Sequence, residues 1–227
     1  MFAEEGAPLL KLTATPDGSP LRVLCLGAHS DDIEIGCGAT LLQLAQLEPR
    51  LECRWVVWSA VTSRADEAKE GAETFLGANA ARDAVRLHSF KDGYFPAQFA
   101  EIKDAFEALA RELKPHVVFT HTRDDRHQDH RVISDLTWNT FRNQLVLEYE
   151  IPKWDGDLGR PNFYVPASRD IAERKADALM KVFGTQRSKD WFSEETFLGL
   201  MRLRGMECRA KEGYAEAFHA RKVTLSL

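Results

Sequence analysis

The stretch Arg22-Val23-Leu24-Cys25-Leu26-Gly27-Ala28-His29-Ser30-Asp31-Asp32 decides the reading of this chain. An apolar run of strand length stops abruptly at a loop of imidazole and carboxylate side chains. Downstream, Gly36-Cys37-Gly38 leads into Ala39-Thr40-Leu41-Leu42-Gln43-Leu44-Ala45-Gln46-Leu47, whose leucines recur at helical spacing until Pro49. Strand, polar loop and helix together predict a βαβ opening, with the loop at the carboxyl end of a buried strand.

The same rhythm continues outward. Strands are expected at 54–60, 85–90, 117–121 and 145–150, with helices at 64–76 (closed by Gly77), 99–113 (stopped before Pro115) and 128–142. This alternation predicts an α/β, Rossmann-like doubly wound domain, its sheet mainly parallel and covered by helices on both faces. Two more helices are expected at 169–183 and 194–207, and a last strand at 217–225. Residues 151–166 are rich in turn formers and aromatics and read as an ordered loop lining a pocket, Trp154 and Tyr164 included. Residues 1–20 carry two prolines and no sustained period, and read as an N-terminal arm on a single domain spanning 1–227.

Val117-Val118-Phe119-Thr120 ends in a second polar cluster, His121-Thr122-Arg123-Asp124-Asp125-Arg126-His127-Gln128-Asp129-His130. In open α/β sheets ligands bind beyond the carboxyl ends of the strands, so two loops some hundred positions apart can meet there. Residues three apart share one side of a helical turn, which pairs His29 with Asp32 and His127 with His130. Mixed His and Asp ligation with one position open to water is typical of catalytic zinc, so one zinc per chain and a hydrolase are predicted. Spacing alone leaves open which histidine and which aspartate are the ligands. It also leaves a metallophosphoesterase, which would need two metals, and a non-catalytic sugar-binding or signalling domain.

The motifs Ala28-His29-Ser30-Asp31-Asp32, Glu34-Ile35-Gly36-Cys37-Gly38 and His127-Gln128-Asp129-His130-Arg131 resemble those of the PIG-L (LmbE-like) family of zinc-dependent N-acetylglucosamine deacetylases. The likeness extends over most of the chain, through Arg64, Glu67, Ala68 and Leu76-Gly77, then Asp92-Gly93, Lys114-Pro115 and Tyr214-Ala215-Glu216-Ala217-Phe218. Ser30 departs from the proline most members carry, without removing a functional group. The resemblance implies that His29, Asp32 and His130 bind zinc and that Asp31 acts as general base and then acid. It further implies that His127, protonated and oriented by Asp129, stabilises the oxyanion, and that Arg64 contacts substrate. The implied substrate is an N-acetylated sugar or a conjugate of one, and family members often form homo-oligomers.

His88 and His116 read as structural histidines, and His121 and His219 as candidates for supporting positions near the site. Arg126 and Arg131 are expected to pair with carboxylates, and Asp124 and Asp125 to cap a helix. Gly36-Cys37-Gly38 lacks the glycine spacing of a dinucleotide loop.

Composition narrows the partner class. The net charge of -5, from 30 basic and 35 acidic residues spread along the chain, favours a small-molecule partner over nucleic acid or an anionic membrane. Cys25, Cys37, Cys53 and Cys208 lack paired spacing and suggest buried reduced thiols. The acidic start Met1-Phe2-Ala3-Glu4-Glu5-Gly6 is unlike a signal peptide, no stretch is apolar enough to span a bilayer, and a cytoplasmic location is the expectation.

Overall fold

The structure, a computed structural model, describes residues 19–47, 51–77 and 84–224. Nearly all of the expected N-terminal arm, and Leu225 at the end of the expected last strand, lie outside them. Seven strands form one sheet in the order β3-β2-β1-β4-β5-β7-β6. They are β1 (Arg22–Gly27), β2 (Glu52–Val57), β3 (Val85–Leu87), β4 (Val117–His121), β5 (Leu145–Tyr149), β6 (Phe163–Ala167) and β7 (Tyr214–His219). The first five are parallel, and β7 and β6 continue the sheet antiparallel.

Alternation along β1 explains the two covered faces. Val23 and Cys25 enter one core with Trp55 and Val57, while Leu24 and Leu26 enter the other with Val56 and Trp58. The first core is closed by α1 (Asp32–Leu47), α2 (Ser63–Leu76), α5 (Arg169–Val182) and α6 (Glu194–Glu207). The second is closed by α3 (Phe99–Glu112) and α4 (Gln128–Thr140). The chain winds outward from β1 in both directions, so the crevice between the carboxyl ends of β1 and β4 is a topological switch point.

Besides β2 and β3, which end at Val57 and Leu87 rather than at 60 and 90, three elements differ from expectation. First, α1 begins at Asp32 and runs through the glycines, with a kink at Cys37 (φ -143°, ψ 17°). The glycines serve close packing, since a Cβ on Gly36 would lie 2.2 Å from the Tyr149 ring and one on Gly38 2.5 Å from Phe75. Second, β6 forms inside the stretch read as loop. Among the described residues it pairs only with β7, and an edge strand tolerates Pro166, one of the turn formers that suggested a loop. Third, the last strand is β7, at Tyr214–His219 rather than 217–225. The four cysteines are free, and among the described residues no helix is long and apolar enough to cross a membrane.

Candidate active site

The loop after β1 turns directly into α1. Asp32 folds its carboxylate back to accept the His29 backbone N–H at 2.6 Å, and Ile35 N–H donates to the Asp31 carbonyl. Both aspartates thus sit at the positive end of the helix dipole, which favours carboxylates there. Across the crevice, His127 caps α4, and its Nδ1 accepts the Asp129 backbone N–H at 3.3 Å. Asp129 and His130 follow in the first turn. Arg64, in the first turn of α2, donates to Asp31 Oδ1 at 3.3 Å. All seven predicted site residues therefore meet in one crevice.

Four atoms of three residues lie close together in it, Asp32 turning a different oxygen to each histidine. His29 Nδ1 lies 3.2 Å from His130 Nε2 and 3.4 Å from Asp32 Oδ2, and His130 Nε2 lies 3.5 Å from Asp32 Oδ1. Ligand atoms about 2.0–2.2 Å from a tetrahedrally held ion stand roughly 3.3–3.6 Å apart, so each spacing between these side chains is of the size an ion would set. The far nitrogens of both rings meet carboxylates. His130 Nδ1 is 2.8 Å from Asp125 Oδ2, and His29 Nε2 is 3.1 Å from Asp92 and 3.3 Å from Asp129. A carboxylate behind each imidazole fixes tautomer and ring orientation for a metal ligand.

Among the described residues three sets of His and Asp side chains bring one ligand atom each within 4.8 Å of one another: His29, His127 and His130; Asp32, His121 and His130; and His29, Asp92 and Asp129, so the expected trio is shared between the first two. The last two sets are largely committed elsewhere. His121 Nε2 accepts the Ala28 N–H at 3.0 Å, which occupies its lone pair. Asp129 accepts the backbone N–H groups of Gly93 (2.6 Å) and Phe95 (3.0 Å), while Asp92 pairs with Arg64 at 3.0 Å.

Burial would lower the pKa of His29, but the charge of Asp32 and hydrogen bonds to Asp129, Asp32 and Asp92 outweigh it and raise it well above the ordinary value. The cluster thus favours a cation at its centre. Burial and the neighbouring His121 depress His130 to about 4, leaving it neutral and able to coordinate. Burial, then the charge of Asp32, raise Asp31 above the ordinary carboxylate value, against the pull of Arg64; this moves it toward what a general base needs.

Two expected side chains have surroundings that the resemblance did not imply. Burial and the nearby His29 charge lower His127 below the ordinary histidine value, so the expected protonated ring is not favoured. With Nδ1 accepting a backbone N–H, the neutral ring carries its proton on Nε2 and remains a hydrogen-bond donor at the half-buried mouth. The Asp129 carboxylate, expected to orient His127, instead ties the 93–95 backbone to His29.

The sequence reading missed Asp125 as a site residue. It was assigned to capping and does accept the His127 backbone N–H at 2.8 Å, yet its second oxygen holds His130. A buried histidine five positions away was the available signal. Lys153 was missed as well: its ammonium bridges Asp125 (3.0 Å) and Asp157 (2.7 Å), fastening the 151–166 segment to the site wall. Trp154, 69% exposed, donates its indole N–H to Asp190 at 2.6 Å.

Other expectations fall away from the crevice. Tyr164 lies on β6, and its hydroxyl meets Pro161 and Glu207 rather than a pocket. His88 stacks on Trp58, and His116 accepts the Arg22 backbone N–H at the far end of β4, as structural histidines would. His219 lies beside Glu150, outside the cluster, whereas His121 is buried against Asp32 at 3.2 Å. The Arg131 guanidinium reaches the Asp125 and Arg126 carbonyls rather than a carboxylate, Arg126 bonds Asp157 only through its backbone N–H, and Asp124 pairs with Arg221.

The family model for PIG-L, GlcNAc-PI de-N-acetylase, matches residues 24–141, which include both motif loops. The chain is 31% identical over 142 residues to the uncharacterized deacetylase YaiS of Escherichia coli K12, covering 57% of this chain and 74% of that one. Among solved structures it resembles the N,N'-diacetylchitobiose deacetylase of Pyrococcus horikoshii, crystallised with an inhibitor (TM-score 0.69, 20% identity, 87% of this chain and 82% of that one). It also resembles GalB, the 4-carboxy-2-hydroxymuconate hydratase of Pseudomonas putida KT2440 (TM-score 0.69, 16% identity, 91% and 99%). At these identities the two structures establish the fold alone.

Proposed function

Since the chain belongs to the PIG-L, GlcNAc-PI de-N-acetylase family and is an enzyme of that family, we propose that it is a zinc-dependent hydrolase. It removes the acetyl group from an N-acetylglucosamine-type sugar or conjugate, releasing acetate and a free amine. The observation that carries this reading is the triangle of His29, Asp32 and His130 with Asp31 and the His127 Nε2–H beside it.

His29, Asp32 and His130 would hold the ion. When bound it supplies Lewis acidity, acidifying water and polarising the acetyl carbonyl. Asp31 accepts a proton from the water as its oxygen attacks the carbonyl carbon. The His127 Nε2–H donates to the carbonyl oxygen as negative charge gathers there. Asp31 then returns the proton to the sugar nitrogen, the C–N bond breaks, and acetate and the amine leave. Arg64, held between Asp31 and Asp92, keeps the Asp31 carboxylate facing the crevice and lies where a sugar would enter.

The test is to incubate zinc-loaded protein with N-acetylglucosamine and its glycosides and to measure acetate and new primary amine. Equimolar release of both supports the reading. A full complement of zinc with no acetate from any N-acetylated sugar refutes it. One zinc per chain separates it from a phosphoesterase, whose two ions would stand about 3.5–4 Å apart.

A further inference from the structure

Two sequence motifs take no part in the chemistry above: Gly36-Cys37-Gly38 in α1 and Tyr214–Phe218 in β7. The structure joins them. At Cys37 the helix is kinked, and the Ala39 N–H and Ile35 carbonyl, which a regular helix would pair with each other, both meet side chains there. Ala39 N–H donates to Glu216 Oε1 at 2.9 Å, and Thr40 donates to Oε2 through its backbone N–H at 2.7 Å and its hydroxyl at 2.6 Å. Lys175, from α5, donates its ammonium to the Ile35 carbonyl at 2.7 Å and to Glu216 Oε1 at 2.6 Å. Glu216, Lys175 and Thr40 are all buried.

The half of α1 before the kink carries Asp32 and is seated by close packing. Gly36 presses on the Tyr149 ring, and the Tyr149 hydroxyl donates to the Leu26 carbonyl at 2.7 Å, with His121 Nε2 3.3 Å away. His121 Nε2 in turn lies 3.2 Å from Asp32 Oδ2. Straightening α1 would lift Gly36 off Tyr149 and move Asp32 from the triangle it shares with His29 and His130. A buried ion pair adds little net stability over a well-packed apolar pair, so stability alone does not account for placing two charges here.

We propose that Glu216 and Lys175 are positioning residues, a clamp that holds the α1 kink and thereby sets Asp32 in the metal-binding triangle. This rests on the ligand assignment above, so its test includes zinc affinity, which is measured without any turnover.

The decisive variant is Lys175→Met with Glu216→Leu, which removes both charges together and leaves the Ala39 N–H and Ile35 carbonyl only each other as partners. The melting temperature is expected to stay close to wild type. Zinc affinity, by chelator competition, should fall about tenfold, the lower end for losing a supporting residue. With kcat counted per bound zinc, the loss should be on the order of 10²-fold, as for a 1 Å misplacement, with KM changed less than about threefold. Glu216→Gln, whose single oxygen cannot serve both pairs of donors and whose amino group would face the other pair, should lower kcat in the same sense as the double variant, with KM changed less. A folded double variant with wild-type zinc affinity and wild-type kcat per zinc overturns the proposal. If the double variant does not fold, Glu216→Asp decides, because it retracts the carboxylate by one methylene. A loss of kcat of about tenfold at unchanged KM supports the clamp, and full kcat overturns it. If the wild-type protein deacetylates nothing, the functional reading fails, while the zinc-affinity comparison still judges the clamp.

Discussion

Asp125→Asn isolates one carboxylate that never touches the proposed metal. Asp125 is 2% exposed and accepts three hydrogen bonds: His130 Nδ1 at 2.8 Å on Oδ2, and the His127 N–H at 2.8 Å and Lys153 at 3.0 Å on Oδ1. Burial pushes its pKa up, but the His130 hydrogen bond and surrounding cations hold it below the ordinary value, so it is ionised at neutral pH. Asparagine has the same shape but only one oxygen. If that oxygen faces His127 N–H and Lys153, its amino group meets His130 Nδ1 and drives the His130 proton onto Nε2, the atom needed for the ion. If it faces His130, the amino group meets a backbone N–H and an ammonium. Either arrangement opposes metal binding, and loss of such a partner typically costs 10–100-fold in affinity, about 1.4–2.8 kcal/mol. The assay is competition for zinc against a chromophoric chelator, with circular dichroism to confirm folding. Zinc affinity within twofold of wild type in the folded Asn variant would refute both the His130 ligand assignment and the supporting role of Asp125.

Four further outcomes are expected. His29→Ala, Asp32→Ala and His130→Ala should each lose zinc and turnover together, read by elemental analysis; undiminished zinc in all three would sink the triangle. Asp31→Asn should keep zinc and lose most turnover, and His127→Ala should keep zinc and lose roughly 10²–10³ in kcat, the usual cost of deleting an oxyanion donor; a zinc-replete Asp31→Asn enzyme of normal rate removes Asp31 as the base. Because the metal-free cluster raises His29 above its ordinary 6.5, zinc must displace its proton at neutral pH. Affinity should therefore climb about tenfold per pH unit upward from that value, and the metal-free fold should lose the stability His29 contributes as pH rises through the raised pKa. An affinity that does not rise with pH from 6.5 upward contradicts this. Lastly, Trp154→Ala should shift relative rates among N-acetylated glycosides without changing zinc content, since the indole is exposed on a segment fastened to Asp125; identical relative rates would remove it from the substrate site.

The sequence by itself determined the alternation of strand and helix, the parallel centre of the sheet, and the convergence of His29–Asp32 with His127–His130. Each follows from local period and from the rule that loops at a switch point face one crevice. It could not determine which partner each ring would take, because hydrogen bonds between distant segments depend on how helices seat on the sheet. Asp125 looked like a cap and is also the support of His130. Asp129 looked like the support of His127 and instead holds the 93–95 backbone against His29. Edge position, invisible locally, let Pro166 stay within β6. The α1 kink has no local explanation beyond its glycines: Glu216, some 176 positions away, offers the Ala39 and Thr40 N–H groups a side-chain acceptor just past it, and only the packed sheet brings that carboxylate there.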